Sequence, residues 1–337
     1  MQAVVFNKPF EMALTDYPLR NLQPQEICVQ IEACGVCGTD HHIYAGEAPA
    51  SPPVILGHEF VGRVVETGAS VVDFKSDDHV AIDPNIPCRT CSFCRAGKIH
   101  LCTNLKALGV NLNGGFAEYA IVPAGQAYGL PDDFPAETAA FAEPLSCCLH
   151  GIQQAAINTG DAVAIVGGGT IGLLMLQLVR LAGAAMTLLM EPVAEKREIA
   201  AGLGADHVLD PASDALFEEV NEITNGGADV VIECAGNSKA VSCAVKLAKR
   251  GGRIVLFGLA GKSDCVNLNL QDFFHRELTL KGSLLNPFTF QTAIQLLTSN
   301  KISTEPLKVK PLELSQIADF FSQLKNSQIL KYQIIPN

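Results

Sequence analysis

The sequence predicts an α/β protein in which a β-rich, barrel-like domain precedes a doubly wound parallel sheet. Up to about residue 155, short β-rich runs such as 26–32 and 61–67 are separated by Gly, Pro and Asp, a pattern typical of antiparallel structure. From residue 156, short apolar runs alternate with helix-like stretches, which indicates a parallel sheet. A length of 337 residues with 48% hydrophobic side chains is enough for two domains of ordinary size.

The second region begins with an apolar strand at residues 163–166, followed by a glycine cluster and a helix at residues 173–182. Further strands are predicted at residues 187–190, 207–209, 230–232, 254–257 and 278–280. The C-terminal segment contains two helix-like stretches, 289–298 and 314–324, and a final strand at 330–335. By its pattern alone, this segment could close either domain.

The composition disfavours several classes of protein. The formal net charge is −11, and no block of lysines or arginines provides the basic surface that nucleic-acid binding needs. No run of about 18 or more apolar residues occurs, and residues 1–10 read as a short strand without the plan of a signal peptide. The sequence therefore predicts a cytoplasmic protein with neither a nucleic acid nor a membrane as a partner.

A glycine motif marks the start of the parallel sheet. Gly167, Gly169 and Gly172 form G-x-G-x-x-G between a predicted strand and a predicted helix, with Ile171 inside the motif. The first glycine permits a tight turn, the second lets the backbone approach a pyrophosphate, and the third allows the helix to pack closely on the strand. Glycine-rich turns also occur in ordinary loops, but the flanking strand and helix favour a dinucleotide-binding site.

Glu191 bears on the choice of dinucleotide, because it ends the next predicted strand at the spacing expected for a ribose contact. A carboxylate accepts hydrogen bonds from a ribose 2′-hydroxyl and repels a 2′-phosphate, so NAD is favoured over NADP. The nearby Lys196 and Arg197 could stabilise a phosphate or could simply lie on an exposed helix face.

Twelve cysteines in a chain expected in a reducing compartment indicate metal binding more often than disulfides. Cys88, Cys91, Cys94 and Cys102 have the spacing C-x2-C-x2-C-x7-C in a segment rich in Pro, Arg, Lys and Asn. Four thiolates this close suit a closed structural zinc site, which would order a long loop, and an iron–sulfur cluster is the chemical alternative. Seven other cysteines are expected to be small apolar core residues: Cys28, Cys34, Cys147, Cys148, Cys234, Cys243 and Cys265.

A second set of metal-ligand residue types is dispersed along the chain. Cys37 lies in Cys-Gly-Val-Cys-Gly-Thr-Asp, His58 and Glu59 follow Gly57, and Glu143 opens Glu-Pro-Leu-Ser. Thiolate, imidazole and carboxylate are the ligands of a catalytic zinc, which keeps one position for water or substrate. A lone cysteine or histidine is usually a packing residue, and spacing alone does not assemble these four.

Over essentially its whole length, the chain resembles the zinc-containing medium-chain dehydrogenases. The resemblance rests on the order of the motifs: catalytic cysteine, Gly-His-Glu, four-cysteine loop, Glu-Pro-Leu-Ser and glycine fingerprint. It implies a GroES-like catalytic domain at residues 1–155, completed by residues 288–337, and a Rossmann NAD-binding domain at residues 156–287, in a homodimer or homotetramer. In having a glutamate at position 143, the chain is similar to sorbitol and other polyol dehydrogenases, whereas other alcohol dehydrogenases of the family have a third cysteine ligand at this position.

The resemblance also assigns roles to the dispersed residues. Cys37 and His58 match ligands of the catalytic zinc, while Glu59 and Glu143 match two carboxylates that bind this zinc or hold its water, and which of the two binds it stays open. The four closely spaced cysteines match the ligands of the structural zinc.

Other matched positions concern the proton path and the cofactor. Thr39 matches the hydroxyl of the proton path, and His42 stands where some members have a relay histidine, whereas His41 has no matched role. Lys196 matches a basic residue near the adenosine ribose.

Together these features predict a zinc-dependent, NAD-linked dehydrogenase that oxidises a secondary alcohol of a polyol or sugar alcohol, phosphorylated or not, to a ketone or ketose. Sorbitol dehydrogenases place an Arg-Tyr pair where this chain has Leu285 and Asn286, and the segment 284–288 is more similar to bacterial relatives that act on arabitol, arabitol phosphate or other small diols. The alternatives are a threonine-type or other secondary-alcohol dehydrogenase, a zinc-dependent reductase, and a zinc-bearing scaffold without activity. Cys37 and His58 argue against the scaffold, because their loss would be its signature.

Overall fold

The structure, a computed structural model, describes residues 1–323 and 330–336. The chain divides into two compact units. The first unit comprises residues 1–146 and the described part of residues 287–337, and the second comprises residues 147–286.

Short strands separated by turns build most of the first unit. Its strands before residue 146 are β1 (Gln2–Lys8), β2 (Glu11–Asp16), β3 (Glu26–Gly35), β4 (Val54–Ile55), β5 (Glu59–Thr67), β6 (His79–Ile82), β7 (Asn85–Ile86), β8 (Lys106–Ala107), β9 (Tyr119–Pro123) and β10 (Ala127–Gly129). The helices are α1 (Gly38–Tyr44), α2 (Ser92–Arg95), α3 (Ala136–Ala139) and α4 (Ala142–Ala155), whose last residues belong to the second unit. Short 3-10 turns lie at Ile99–Leu101 and Ala124–Gln126.

In the second unit, strands alternate with helices. In chain order the elements are β11 (Ala162–Val166), α5 (Thr170–Leu181), β12 (Met186–Met190), α6 (Ala194–Gly202), β13 (His207–Leu209), α7 (Leu216–Thr224), β14 (Ala228–Glu233), α8 (Ser238–Leu247), β15 (Ala248–Leu256), α9 (Leu270–His275) and β16 (Thr279–Gly282). The strands form a parallel sheet in the order β13-β12-β11-β14-β15-β16. This order, which reverses at β11, is that of the doubly wound dinucleotide-binding folds.

The strand β11 shows why this sheet forms. Its sequence is Ala-Val-Ala-Ile-Val, and its last four residues are buried, as expected of a central strand that is covered on both faces. The β-branched residues Val163 and Ile165 also favour extended backbone. Because the chain turns directly from β11 into α5, the glycine motif lies at the carboxyl end of the first strand of the sheet.

The C-terminal segment contributes to the sheet of the first unit. Its elements are α10 (Phe290–Thr298), β17 (Val309–Leu312), α11 (Ile317–Gln323) and β18 (Lys331–Ile334), with 3-10 turns at Glu305–Leu307 and Leu314–Gln316. Within the described residues, the main sheet has the order β10-β6-β5-β3-β18-β17, with β9 also paired to β3. Smaller sheets have the order β2-β1-β4 and β7-β8.

An apolar cluster lies within the first unit, and strands of its main sheet contribute to it. Buried members include Ile27 and Val29 on β3, Phe60 on β5, Ile82 on β6 and Phe116 in the loop before β9. The antiparallel pairing of β3 with β5 is long, and it aligns Gly35 with Glu59. This register places the residues that follow β3 beside those that precede β5.

These elements confirm the predicted α/β class, with a β-rich first region and a doubly wound parallel sheet. The predicted helix at residues 314–324 is instead a 3-10 turn followed by α11, and residue 324 lies outside the described residues. The expectation of a core position is wrong for Cys265, which is exposed, whereas Cys147, Cys234 and Cys243 are half-buried.

Across residues 1–323 and 330–336, no helix combines the length and the apolar character that crossing a membrane requires.

Candidate metal centres and cofactor site

The four closely spaced cysteines lie together in the loop between β7 and β8. The sulfur atoms of Cys88, Cys91, Cys94 and Cys102 all lie within 4.8 Å of one another. A tetrahedral zinc with Zn–S distances of about 2.3 Å separates its sulfurs by about 3.8 Å, so this cluster fits that ion. Four thiols fill the coordination shell, which suits a structural metal better than a catalytic one.

Hydrogen-bond donors are directed at these sulfurs. The sulfur of Cys88 accepts from the Thr90 hydroxyl at 3.5 Å and from the Cys91 N–H at 3.4 Å, and the sulfur of Cys91 accepts from the Cys94 N–H at 3.5 Å. Because these bonds favour the thiolate, the pKa of Cys88 falls to about 5 and that of Cys91 to about 7. Burial raises the pKa of Cys94 to about 12. Metal binding to all four sulfurs at neutral pH therefore has to release the proton of Cys94.

The pairing of β3 with β5 assembles a second cluster. Cys37 lies two residues beyond the end of β3, and His58 directly precedes β5. The ligand atoms of Cys37, His58 and Glu59 all lie within 4.8 Å of one another. His58 and Glu59 are buried, and Cys37 is half-buried.

Asp40, to which no role was assigned from the sequence, holds this cluster together. It lies in the first turn of α1 and is fully buried. Its Oδ2 accepts the Cys37 N–H at 2.8 Å, and its Oδ1 lies 3.4 Å from Nδ1 of His58. A carboxylate at Nδ1 leaves Nε2 for a metal, as around many metal-bound histidines. The position of an acidic residue three residues after a helix N-cap is the signal that could have identified Asp40.

The charge of Asp40 also affects the protonation of His58. Burial disfavours the imidazolium, but Asp40 and Cys37 together raise the pKa of His58 well above its ordinary value. The imidazole must be neutral to bind a metal, so metal binding here also displaces a proton.

A buried lysine from β18 completes the cluster. Gln333 pairs with Gly35, which brings Lys331 beside the residues that follow β3. The Nζ of Lys331 contacts Oε2 of Glu59 and donates to the carbonyl of Val36 at 3.1 Å. Burial lowers the pKa of Lys331, but Glu59 raises it, and the net result is a raised pKa, so the side chain is a cation at neutral pH. Sequence reasoning missed Lys331, which stands in the mixed polar and apolar strand Lys-Tyr-Gln-Ile and has no local motif around it.

Glu143, the fourth residue predicted for this centre, lies in the first turn of α4. Its residue is 7% exposed. Within the described part of the chain, the group of ligand atoms around Cys37 does not include it. A carboxylate is favoured at a helix N-terminus, so both a capping role and a metal-binding role fit this position.

The helix α1 carries the predicted proton-path residues. Thr39 and His42 are half-buried, and Nδ1 of His42 lies 2.7 Å from Oε2 of Glu47. His41 packs instead on Phe321, with ring centroids 4.7 Å apart, and burial lowers its pKa. These contacts make His41 a packing residue.

The glycine motif adopts the turn that a dinucleotide requires. Gly167 has φ +105°, and a Cβ on Gly172 would lie 1.8 Å from the carbonyl oxygen of Gly167, so both positions need glycine. A Cβ on Gly169 would meet nothing within 4 Å, which leaves open space for a ligand to approach the backbone. The helix α5, with the half-buried Ile171 in its first turn, begins directly after Gly169. This turn fits a pyrophosphate at the helix N-terminus.

Glu191 lies beside this turn, directly after β12. Its residue is 6% exposed, and its Oε2 accepts the Gly168 N–H at 2.7 Å while its Oε1 accepts the Val193 N–H at 3.0 Å. The carboxylate is therefore fixed in place by backbone donors.

Two basic residues follow on α6. Arg197 donates from Nη1 to the carbonyl of Glu191 at 2.7 Å, and the same nitrogen lies 3.5 Å from Oδ2 of Asp210. Lys196 is half-buried. Because Arg197 is tied to the strand end and to Asp210, its charge is partly neutralised.

Comparison with known proteins agrees with this geometry. Residues 23–132 match the family model described as alcohol dehydrogenase GroES-like domain, and residues 170–299 match that described as zinc-binding dehydrogenase. D-arabinitol dehydrogenase 1 of Uromyces fabae is 32% identical, with 100% of this chain and 97% of that protein covered. L-threonine 3-dehydrogenase of Pyrococcus abyssi is 34% identical, with 91% and 90% covered. A structure from Sinorhizobium meliloti 1021, described as a zinc-binding dehydrogenase bound to NADP, has a TM-score of 0.94 at 39% identity, with 99% of each chain covered.

The chain therefore belongs to the zinc-containing medium-chain dehydrogenases, as its motifs predicted, and polyol dehydrogenases are among its relatives. This membership supports an oxidoreductase activity and a nucleotide cofactor.

Proposed function

We propose that this chain is a zinc-dependent, NAD-linked dehydrogenase that oxidises a secondary alcohol of a polyol or sugar alcohol, phosphorylated or not, to a ketone or ketose. The observation that carries the proposal is the cluster of Cys37, His58 and Glu59, whose ligand atoms lie within 4.8 Å of one another. One thiolate, one imidazole and one carboxylate form the mixed donor set of a catalytic zinc with an exchangeable position.

In this proposal, Cys37 and His58 hold the catalytic zinc, and Glu59 and Glu143 supply the carboxylates that bind it or hold its water. A bound zinc would supply a Lewis acid that lowers the pKa of an alcohol hydroxyl, and a bound NAD would supply the acceptor for the hydride of the carbinol carbon. Lys331 neutralises the buried charge of Glu59. The four closely spaced cysteines hold a second, structural zinc.

Each oxidation of an alcohol releases one proton, which the chain has to carry to solvent. The hydroxyl of Thr39 passes this proton outward, and His42, whose side chain is 26% exposed, takes it up and releases it to water.

The cofactor binds to the second unit. The glycine turn at residues 167–172, including Ile171, holds the pyrophosphate at the N-terminus of α5. Glu191 accepts hydrogen bonds from the adenosine ribose and repels a 2′-phosphate, which supports NAD, and Lys196 lies near the same ribose. The NADP in the Sinorhizobium meliloti structure makes this preference a point to measure directly.

The preference for polyols rests on Glu143. An oxygen ligand in place of a third cysteine gives a harder set of donors, which suits a substrate that offers two neighbouring hydroxyl oxygens. We therefore expect vicinal diols to be better substrates than simple primary alcohols. The likeness to D-arabinitol dehydrogenase supports this expectation.

L-threonine is the second candidate substrate, because L-threonine 3-dehydrogenases at 34% identity are among the relatives. Threonine is a secondary alcohol with an amino group on the neighbouring carbon, so it also offers two neighbouring donor atoms. The initial rates with arabitol and with L-threonine, each with NAD, distinguish the two candidates.

The variant Cys37→Ser tests the catalytic centre, with Cys243→Ser as the matched control, since Cys243 is a half-buried cysteine of the second unit. Metal analysis of the wild type should give two zinc ions per chain, and mild chelation should remove one together with turnover. Cys37→Ser should retain one zinc and lose NADH formation from arabitol, whereas Cys243→Ser should retain both. One zinc in the wild type, iron in its place, or full turnover by Cys37→Ser would contradict the proposal.

Further assignments follow from the same proposal. Residues 1–155 and 288–337 form the catalytic domain, residues 156–287 form the cofactor domain, and the protein is a cytoplasmic homodimer or homotetramer. Size-exclusion chromatography with light scattering measures the oligomeric state.

A further inference from the structure

Glu47 contacts the ring of His42, and neither the sequence motifs nor the family resemblance assigns it a role. Its Oε2 lies 2.7 Å from Nδ1 of His42. The side chains of His42 and Glu47 are 26% and 52% exposed, so the pair lies at the surface of the first unit. An exposed ion pair of this kind contributes little to the stability of the fold. Any effect of Glu47 on the reaction therefore depends on how its carboxylate is placed against the ring of His42.

The backbone after α1 holds Glu47 in this position. The chain reverses at Gly46, which has φ +77° and whose N–H donates to the carbonyl of Ile43 at 2.9 Å. The N–H groups of Glu47 and Ala48 then both donate to the carbonyl of His42, at 2.7 and 3.0 Å. Glu47 is thus hydrogen-bonded to His42 through its main chain as well as its side chain, and few backbone conformations are open to it.

This contact determines which nitrogen of His42 carries the proton. An ionised carboxylate can only accept hydrogen bonds, so Nδ1 must be the protonated nitrogen of the neutral ring. Nε2 then has a free lone pair and can accept a proton. A histidine in the other tautomer would present an N–H at Nε2 and could not take up a proton there.

We infer that Glu47 is a positioning residue that fixes His42 in the Nδ1–H tautomer, with Nε2 as the proton acceptor of the proposed dehydrogenase. This inference rests on the proposed function. The proton that leaves the substrate hydroxyl passes through Thr39 to Nε2 of His42, and the resulting imidazolium then releases it to water. The carboxylate of Glu47 keeps its contact with Nδ1 throughout and exchanges no proton itself.

A second glutamate–histidine pair in the same unit provides a matched control. Oε2 of Glu32 lies 3.1 Å from Nε2 of His79, and the other ring nitrogen lies 3.2 Å from the carbonyl of Pro131. Because this pair lies on β3 and β6, outside the proposed proton path, Glu32→Leu removes a glutamate–histidine contact, together with the hydrogen bond from Nε of Arg63 to Glu32, without touching His42.

The first experiment measures the tautomer of His42 without any turnover. Long-range ¹H–¹⁵N spectra of the ¹⁵N-labelled protein at pH 8 report both ring nitrogens of each histidine, and His42→Gln identifies the His42 signals. We expect a protonated Nδ1 and an unprotonated Nε2 in the wild type and in Glu32→Leu. In Glu47→Leu the two nitrogen shifts should move towards each other. An Nε2–H tautomer in the wild type, or an unchanged spectrum in Glu47→Leu, would overturn the inference.

The second experiment is a double-mutant cycle on kcat for arabitol with NAD. Glu47→Leu should lower kcat roughly two- to fivefold, as expected for the loss of one exposed pair, without changing KM for NAD. In the His42→Gln background the same substitution should have no further effect, because Glu47 acts through His42. Glu32→Leu should leave kcat unchanged. If the two substitutions instead lower kcat independently, so that the fold-losses of the single variants multiply in the double variant, Glu47 does not act through His42.

The two experiments separate this inference from the proposed function. If no alcohol supports NAD reduction, the proposed function is wrong, and the relay role of His42 is wrong with it, while the spectra still decide the tautomer. If the enzyme turns over arabitol but the cycle is additive, the dehydrogenase proposal stands and the role of Glu47 is wrong.

Discussion

The substitution Lys331→Met removes the cation that faces Glu59 inside the first unit. Lys331 is 5% exposed and Glu59 is 1% exposed, so the carboxylate would remain buried without its partner. Lys331 also donates to the carbonyl of Val36 at 3.1 Å, and this hydrogen bond would be lost as well. Methionine keeps most of the length and volume of lysine, so the change tests charge rather than packing.

The expected magnitude follows from the burial of the pair. Removing one partner of a buried, hydrogen-bonded ion pair costs about 3–5 kcal/mol of folding free energy. For a unit of about 200 residues, each kcal/mol shifts Tm by roughly 2–4 °C, so the melting transition of the first unit should fall by roughly 6–20 °C. Differential scanning calorimetry of the wild type and the variant at pH 7 measures this shift.

Two further variants test the physical reason. Lys310→Met removes an exposed lysine from the neighbouring strand β17, where Lys310 lies opposite Tyr332, and should change Tm little. The double variant Lys331→Met with Glu59→Gln removes both charges and should recover part of the lost stability. A Tm for Lys331→Met within the range of Lys310→Met would refute the reasoning, and so would a double variant that is less stable than Lys331→Met.

Three other predictions concern the metal site, the cofactor and pH. Glu143→Gln keeps the shape of the side chain but removes its charge, so steady-state kinetics should show that turnover of arabitol falls by at least roughly tenfold. Titration with NAD should give an unchanged affinity, and metal analysis should still find the zinc of the four cysteines. Glu191→Ala should lower the ratio of kcat/KM with NAD to kcat/KM with NADP by roughly tenfold. The preference for NAD should not invert, because Arg197 remains hydrogen-bonded to the backbone carbonyl of residue 191. A wild type that prefers NADP would contradict the assignment. The hydrogen bond from Arg20 lowers the pKa of Glu26 below its ordinary value of 4.5. The pair therefore stabilises the fold above pH 4.5, and this contribution is lost as the pH falls through the lowered pKa. Arg20→Leu should therefore lower stability at pH 7 by less than about 1 kcal/mol, because solvent screens this exposed pair, and should make no difference near pH 2; an equal loss at both pH values would contradict the electrostatic cause.

The features that the sequence predicts well are those that local spacing encodes. The glycine turn lies within six residues, between an apolar strand and an apolar helix, and each of these elements forms for local reasons. The four cysteines between Cys88 and Cys102 are likewise close enough in the chain to surround one ion. In both cases the residues that act together are also neighbours in sequence.

The cluster of Cys37, His58 and Glu59 could not be predicted from spacing, because tertiary pairing assembles it. Cys37 meets His58 through the register of β3 with β5, and Lys331 meets Glu59 through the pairing of β18 with β3. Strand register depends on the whole apolar pattern of a sheet, so no local motif specifies these contacts. The resemblance to a known family supplied Cys37, His58 and Glu59, but it did not supply Lys331.

Glu47 illustrates a different limit of sequence reasoning. A glutamate five residues after a histidine is not positioned to meet it along a helix, where residues three or four apart are neighbours. The contact arises because α1 ends at Tyr44 and the chain reverses at Gly46. The position of that turn, and hence the pair, becomes visible only in the folded chain.

The ratio of kcat/KM for vicinal diols to kcat/KM for ethanol tests the proposed function most directly. Arabitol, 2,3-butanediol and ethanol are each supplied with NAD to the zinc-loaded protein, and NADH formation is followed by its absorbance. If Glu143 gives the zinc an oxygen-rich ligand set that favours two neighbouring hydroxyls, arabitol or 2,3-butanediol should exceed ethanol by at least about a hundredfold. Oxidation of ethanol as efficient as that of both diols would contradict the assignment of this chain as a polyol dehydrogenase.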